Sequence, residues 1–432
     1  MRSLLALCFL LPGLASSADE NVPASVDAAI ARAAKAHVPV LLDFHAPWCY
    51  SCYFMATHVL NGKEWQAVEA KTIVTAVDAD SPDGAAWMKK LQVKALPAYV
   101  ILNENGAELG RILAEQPRAK FYPDLDKIIA GASTLDQLKA KAAKGSQDAL
   151  SSVLASYQAR GEGQDGLDWY AALPQKVRDG AGKNKTVALW LDRLQLAKAS
   201  KAEDDAAAIA AAQRVLAGDI GCDRPYVVDQ LLEAGAKNPP PEYTRMLAQQ
   251  KVALDRLLWE RVFVAKPTCV DQRSAVMTTA DVDAAIGDSS SETALLNRAI
   301  ETVRQTLGDD VGKDRNLSDN LRVYLTRAEC NDELDALYPK LIAAYPDDYV
   351  YPYRYGKSLL ERKQAAKALP LLEQAAGKAY GENRLAVAMV RVKALRALKR
   401  EADAEGVVAE VLEQNGQWFP EQVAKLKDAL KS

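Results

Sequence analysis

Beyond residue 131 the strand signal disappears from this 432-residue chain. Before that point short apolar runs alternate with helical patterns. After it, helical stretches alternate only with short breaks: "GEGQDG" at 161–166, "GAGKNK" at 180–185, "NPPPE" at 238–242 and "GDSSSE" at 287–292. A chain with such a switch cannot close around one sheet, and 432 residues exceed one ordinary core. The pattern predicts an α/β unit followed by an all-α region. Abundant Ala at helical spacing and only 6 Phe agree with a mostly helical chain.

Within the first part, "ASVDAAIARAAKAH" (24–37) reads as helix and "VPVLLDFHA" (38–46) as a short buried strand. "EWQAVEAK" continues as helix, "TIVTAVDAD" as a second strand, and "SPDGAAWMKKLQV" as a helix opened by Ser81 and Pro82. "AYVILNENGAELGRI" is a hairpin around Asn103 to Gly106, and a last helix from about 119 to 129 ends at Gly131. This order predicts a small sheet with a parallel part and an antiparallel hairpin.

Near the C-terminus a period emerges. Tyr355, Gly356, Leu359, Ala368, Leu372 and Ala375 stand at the offsets of a tetratricopeptide helix pair. Ala404 repeats the slot of Ala368, with Leu395 before it and Val408 and Val411 after. Leu321, Leu325, Leu334, Tyr338, Leu341 and Pro346 hold the corresponding upstream places. Two readings stay open: degenerate tetratricopeptide-like repeats, in which small residues let paired helices approach and stacking buries their apolar faces, or a non-repeating helical bundle. The expected division is a signal peptide at 1–18, an α/β domain at 22–131, a helical domain at 132–310 and repeats at 311–432.

"MRSLLALCFLLPGLASSA" has a basic start, a short apolar run, a Pro-Gly break and small residues at Ser16 and Ala18. This reads as a secretory signal peptide cut after Ala18. Its apolar core is too short to span a bilayer comfortably, and no other window approaches a span, so the expectation is an exported, periplasmic protein with no membrane span in the mature chain. A net charge of -3 gives no basic footprint and counts against nucleic acid as a partner. Five cysteines remain after Cys8 is set aside: Cys49, Cys52, Cys222, Cys269 and Cys330. An odd count leaves one thiol over. Two of the last three form a structural bridge in one reading, and all three are buried small hydrophobes in the other.

"DFHAPWCYSC" places Cys49 and Cys52 two residues apart after an apolar strand. Zinc needs four ligands, and no second C-x-x-C or H-x3-H follows; a covalent haem needs His at position 53, where Tyr stands. Dithiol chemistry fits. A thiol at a helix N-terminus faces free N–H groups and the positive end of the dipole, which lower its pKa. Cys49 is then the exposed attacking thiolate and Cys52, about one turn on, the buried resolving thiol. Tyr50-Ser51 adds no cation between them. His45 would do so if its ring reaches Cys49; otherwise it packs or faces solvent.

The stretches "FHAPWCYSC" and "VKALPAYVIL" resemble the thioredoxin superfamily over residues 22–131. Within it the chain is similar to the C-terminal thioredoxin-like domain of the periplasmic disulfide-interchange reductase, the DsbD type. The resemblance implies a thioredoxin fold and a cis Leu96–Pro97 bond, with Pro97, Leu96, Trp48 and Tyr50 lining the substrate groove. It also implies that Asp43 exchanges a proton with the resolving thiol. The chain departs from that family in lacking a transmembrane electron-delivery segment, in having His45 where an aromatic is usual, and in its long helical tail.

Two functions follow as expectations. The first is an exported thiol–disulfide oxidoreductase, reductase or isomerase-like rather than oxidant, acting on protein thiols and disulfides and recycled by a redox partner protein, with the helical tail binding clients or that partner. The second is a helical-repeat interaction or scaffold protein whose thioredoxin-like unit is a redox-sensitive or structural module. No cofactor and no metal is expected, since no Gly-rich phosphate loop or complete calcium loop is present. A Tyr-rich run from Tyr345 to Tyr355, together with Trp169, Tyr170 and Trp190, is either a peptide-binding ridge or core.

Overall fold

The computed structural model describes residues 25–237 and 239–431; the expected export segment at 1–18 lies outside the described residues. Helix α1 (Val26–Ala36) leads into strand β1 (Val40–His45). The chain then passes through α2 (Tyr50–Phe54), a π turn (Met55–Val59) and α3 (Gly62–Glu69) to β2 (Ile73–Asp78). Helix α4 (Pro82–Leu91), strands β3 (Ala98–Leu102) and β4 (Glu108–Leu113), and α5 (Arg118–Gly131) complete this part.

The strands form one sheet in the order β2-β1-β3-β4. β1 runs parallel to β2, with Val40 opposite Ile73 and His45 opposite Asp78, and antiparallel to β3, with Leu42 opposite Val100. β4 returns antiparallel to β3. Side chains alternate along a strand, so Val40, Leu42 and Phe44 meet Ala29, Ala33 and Trp87 on one face. Leu41 meets Met55, Val59, Phe121 and Leu125 on the other. Both faces of β1 are thus apolar and covered, which is why the strand reads as a continuous hydrophobic run. Each fully buried Leu or Phe of this kind is worth ~1.5–3 kcal/mol.

Local signals set the element ends. Ser81 caps α4 by accepting from the Gly84 amide at 2.9 Å, and Pro82 opens the helix. Asn103 Oδ1 accepts from the amides of Asn105 and Ala107, closing the β3–β4 turn around Gly106, whose φ is +79°.

Among the described residues no strand follows Leu113. Helices continue from Leu135 to Ala429, and their cores succeed one another along the chain. One core runs from Leu135 to Leu194, the next from Leu189 to Ile286, a third from Leu257 to Tyr355 and the last from Tyr353 to Leu430. Each packs onto its sequence neighbours, as in a quasi-one-dimensional stack. Close approach is enforced at Gly356, where a Cβ would stand 2.7 Å from Leu372 Cγ of the following helix. The Tyr run is mostly core: Tyr351 is fully buried, and Tyr338 stacks on Tyr355 with centroids 4.6 Å apart. Trp169, Tyr170 and Trp190 pack against the first helical core. Cys222 and Cys269 are disulfide-bonded, which leaves Cys330 as the free thiol among the described residues.

Candidate active site

β1 carries Asp43 in its interior and ends at His45, whose carbonyl accepts from Ala79 N at 2.9 Å. The loop Ala46-Pro47-Trp48 turns tightly, with Cys49 N donating to Ala46 O at 3.1 Å, and delivers Cys49 as the N-cap of α2. Cys49 Sγ accepts from the Cys52 amide at 3.1 Å, so an unpaired helix N–H points at this sulfur. Cys49 and Cys52 form a disulfide with Cα atoms 5.2 Å apart. Leu96 and Met88 pack against the pair. The Leu96–Pro97 peptide is cis, and Pro97 O accepts from Ala114 N.

Asp43 stands opposite Ala76 and Tyr99 in the sheet. Burial pushes its carboxyl up to about 6, with His45 pulling the other way. A second buried acid, Glu115, lies just beyond β4; neither of its oxygens has a hydrogen-bond partner. Burial, with Asp271 adding to it, holds this carboxyl well above its ordinary value against the pull of Arg273. Sequence reasoning passed over Glu115, which nothing local distinguishes from an ordinary strand-end carboxylate.

The helical region closes over this site. Helix Gln272–Ile286 places Ser274 Oγ 3.2 Å and its N-cap Asp271 Oδ2 3.4 Å from the Tyr50 hydroxyl, while the Arg273 guanidinium lies 3.6 Å from the Tyr50 ring centroid. Helix Arg315–Arg327 sends Asn316 Nδ2 to the Tyr50 carbonyl at 2.9 Å and sets Arg315 over the Tyr53 ring at 4.1 Å. From helix Val350–Glu361, Arg354 donates to Trp48 O. Behind these contacts Asp319, fully buried, binds Arg273 at 2.6 Å, Arg322 at 2.7 Å and Arg354 at 2.5 Å. One carboxylate therefore orients two of the guanidinium groups that touch the cysteine loop.

A second set of contacts lies beside Trp48. Its indole N–H reaches both oxygens of Asp80, at 3.1 and 2.9 Å. Asp80 Oδ2 also accepts from Asn383 at 3.0 Å, and its carbonyl from the Glu382 amide at 3.0 Å. Gly381, with φ +51°, makes this approach possible, since a Cβ there would stand 2.0 Å from Asp80 O. A cavity of about 300 Å³ remains between Trp48, Asp80, Tyr349, Tyr353, Arg354 and Asn383.

These contacts correct two expectations. Cys49 is not the exposed member of the pair: it is 4% accessible, and Cys52 is half-buried. Tyr50 does not line an open groove but is clamped by two helices of the tail. Cys49 is buried by its own domain, packed with Ala46, Ala79, Met88 and Leu96, whereas Tyr50 is held by the helical region lying over α2. Helix Arg315–Arg327 buries Asn316, Ser318, Asp319 and Asn320, a polar load that a helix carries only where partners satisfy it.

The fold and the bonded Cys-x-x-Cys pair define the N-terminal part as a thioredoxin-like domain; residues 21–104 match the thioredoxin-like family. Among characterised proteins the chain is similar to the thiol:disulfide interchange protein TxlA of Synechococcus elongatus, 29% identical over 119 residues. It is also similar to the thiol:disulfide interchange protein DsbD of Klebsiella pneumoniae, 33% identical over 87 residues. The first match covers 27% of this chain and 56% of the relative, the second 20% and 14%. The chain therefore spans about half the length of one relative and a small part of the other. The solution structure of a thioredoxin from Thermus thermophilus matches at 30% identity over 24% of this chain and 83% of that one, with a TM-score of 0.23.

Proposed function

We propose that this protein is a thiol–disulfide oxidoreductase that exchanges disulfides with protein substrates through Cys49 and Cys52. The carrying observation is the bonded pair at the start of a helix, with the Cys52 amide directed at Cys49 Sγ. In the reduced form that amide and the helix dipole favour a Cys49 thiolate. The thiolate attacks a substrate disulfide and forms a mixed disulfide, releasing one substrate thiolate. Cys52 then loses its proton, for which Asp43 is the proposed acceptor, and attacks Cys49 Sγ. The Cys49–Cys52 bond re-forms, and the second substrate thiolate leaves and takes up a proton.

Trp48, Leu96 and Pro97 are the proposed substrate-facing residues, and His45 the residue that tunes the thiolate. The direction is reduction or isomerisation rather than oxidation, since Tyr50 and Ser51 add no cation. The site of action is the periplasm, which the leader-like residues 1–18 support. Among the described residues no helix is long and apolar enough to cross a membrane. A redox partner protein is the proposed source of electrons. Residues 132–310 form the helical domain, and the helix pairs within 311–432 are tetratricopeptide-like repeats that bind clients or that partner.

One observation favours the second reading, a helical interaction protein with a redox-sensitive module: the clamping of Tyr50 by two helices of the tail. An insulin-reduction assay separates the two. The oxidoreductase reading expects turnover by wild type and none by Cys49→Ser. It is lost if both are equally inactive while the wild-type cysteines titrate as thiols.

A further inference from the structure

The second disulfide is built into the contact that covers the first. Cys269 lies two residues before Asp271, the N-cap of helix Gln272–Ile286. Cys222 lies one helical turn before Tyr226, whose hydroxyl donates to Asp271 Oδ2 at 2.6 Å. The same oxygen faces the Tyr50 hydroxyl at 3.4 Å. Both cysteines thus feed, within a few residues, into one carboxylate that holds the residue next to Cys49.

The two sulfurs differ in access. Cys222 is exposed, whereas Cys269 is 4% accessible. The intervening loop 264–268 is exposed throughout, and its main-chain anchorage is the pair of bonds from the Thr268 and Cys269 amides to Arg261 O, each 3.1 Å. Without the disulfide, the start of helix Gln272–Ile286 keeps Tyr226, the Arg261 carbonyl and the Arg273 bonds to Asp319 and Asn320 but loses its covalent tie to the turn that opens helix Arg224–Gly235. Local opening at that end would release Asp271 and Ser274 from the Tyr50 hydroxyl first.

We propose that Cys222–Cys269 is a second redox site, reduced by a dithiol, whose state controls the access of protein substrates to Cys49 and Cys52. A thiolate of the dithiol attacks the exposed Cys222 Sγ, and the Cys269 sulfur leaves and is protonated. The second thiol of the reductant attacks its own mixed sulfur, so Cys222 leaves as a thiolate and is protonated in turn. Two electrons and two protons pass from the dithiol to the two cysteines, and the reductant ends as a disulfide. With Cys222–Cys269 closed, small disulfides reach the site through gaps while protein disulfides meet the clamped Tyr50 loop; with it open, both enter.

This inference rests on the exchange function proposed above, and its test reads thiol access rather than turnover so that the two fail separately. In full-length protein carrying Cys52→Ser and Cys330→Ser, the alkylation rate of Cys49 is measured with iodoacetamide and with a polymer-bearing maleimide. The measurement is made with Cys222–Cys269 intact and in the Cys222→Ser/Cys269→Ser variant. The bulky reagent is expected to react about tenfold faster without the disulfide, with the small reagent changed less than about threefold, as for a gate whose open fraction rises. An unchanged bulky-reagent rate overturns the proposal, whatever the insulin assay gives. Should the double variant fail to fold, Tyr226→Phe is compared instead: it keeps the disulfide and deletes the bond to Asp271, and an unchanged rate there overturns the proposal equally. In wild type, graded dithiothreitol should expose Cys222 and Cys269 to thiol labelling while helical circular dichroism is retained. Labelling only after urea unfolding would show a structural staple and end the proposal.

Discussion

Arg354 donates from Nη2 to the main-chain oxygen of Trp48 at 2.9 Å, across 306 residues of chain. Its other terminal nitrogen binds the fully buried Asp319, which also holds Arg273 and Arg322. The peptide unit entering Cys49 is therefore positioned by an ion cluster that belongs to the helical tail.

Asp319→Asn should destabilise the protein by about 3–5 kcal/mol, because it leaves buried guanidinium groups uncompensated. Burial alone would raise the Asp319 carboxyl, but Arg322, Arg354 and Arg273 outweigh it and hold the group far below its ordinary range. A depressed carboxylate stabilises the fold above its unfolded pKa and loses that contribution as pH falls below about 4. Urea unfolding at pH 7 should thus separate wild type from the variant widely, and the gap should narrow in acid. His58→Ala, which breaks a 2.7 Å contact to Asp314 from a 44% exposed side chain, should cost less than about 1 kcal/mol. Equal losses for the two would contradict the keystone role of Asp319.

Gly381→Ala places a methyl group where Asp80 O already stands. The expected result is a loss of about 1–3 kcal/mol together with faster alkylation of reduced Cys49, since the Asp80–Asn383 and Trp48–Asp80 bonds share that junction. A variant with wild-type denaturation midpoint and alkylation rate would contradict the close approach.

Asp43→Asn should stabilise the folded state at neutral pH. The folded acid, raised by burial to about 6, keeps its proton where the unfolded one has lost it. Stability therefore falls as pH rises from about 4 to 6, and the variant should gain roughly 1–3 kcal/mol at pH 7 and nothing below pH 4. If Asp43 accepts the Cys52 proton, disulfide exchange by the same variant should be about 10²-fold slower at pH 7. A variant that is both more stable and equally active would leave Asp43 a mere structural acid.

Cys52→Ser should accumulate mixed disulfides through Cys49, visible as reducible high-mass bands, and Cys49→Ser should abolish them. Adducts that persist in Cys49→Ser would move the reactive thiol elsewhere.

The α/β order was legible because its signals are local. β1 is apolar on both faces, Ser81-Pro82 caps α4, and Asn103 to Gly106 makes the hairpin. The chemistry of the Cys-x-x-Cys pair was legible for the same reason, since strand, loop and helix start lie within fifteen residues. The cover over it was not. Asp271, Arg273, Asn316 and Arg354 each sit on helices whose charges read as solvent-facing, and their partners lie more than 200 residues away. No periodicity links a residue to a contact at that distance, so the clamp on Tyr50 went unforeseen. The pairing of Cys222 with Cys269 was open for the same reason: three cysteines carry no register of their own.

Tyr50 has consequences for how such a site changes over time. A residue standing between two redox cysteines offers the shortest route by which a substitution alters their chemistry. Here its hydroxyl, its ring and its carbonyl are each engaged by a different side chain of the tail. Replacing it disturbs Ser274 and Arg273 at once, while the main-chain bond to Asn316 stays in place. Variation in the thiol chemistry of this protein can therefore also arise in the helices, at positions hundreds of residues from the sulfurs they influence.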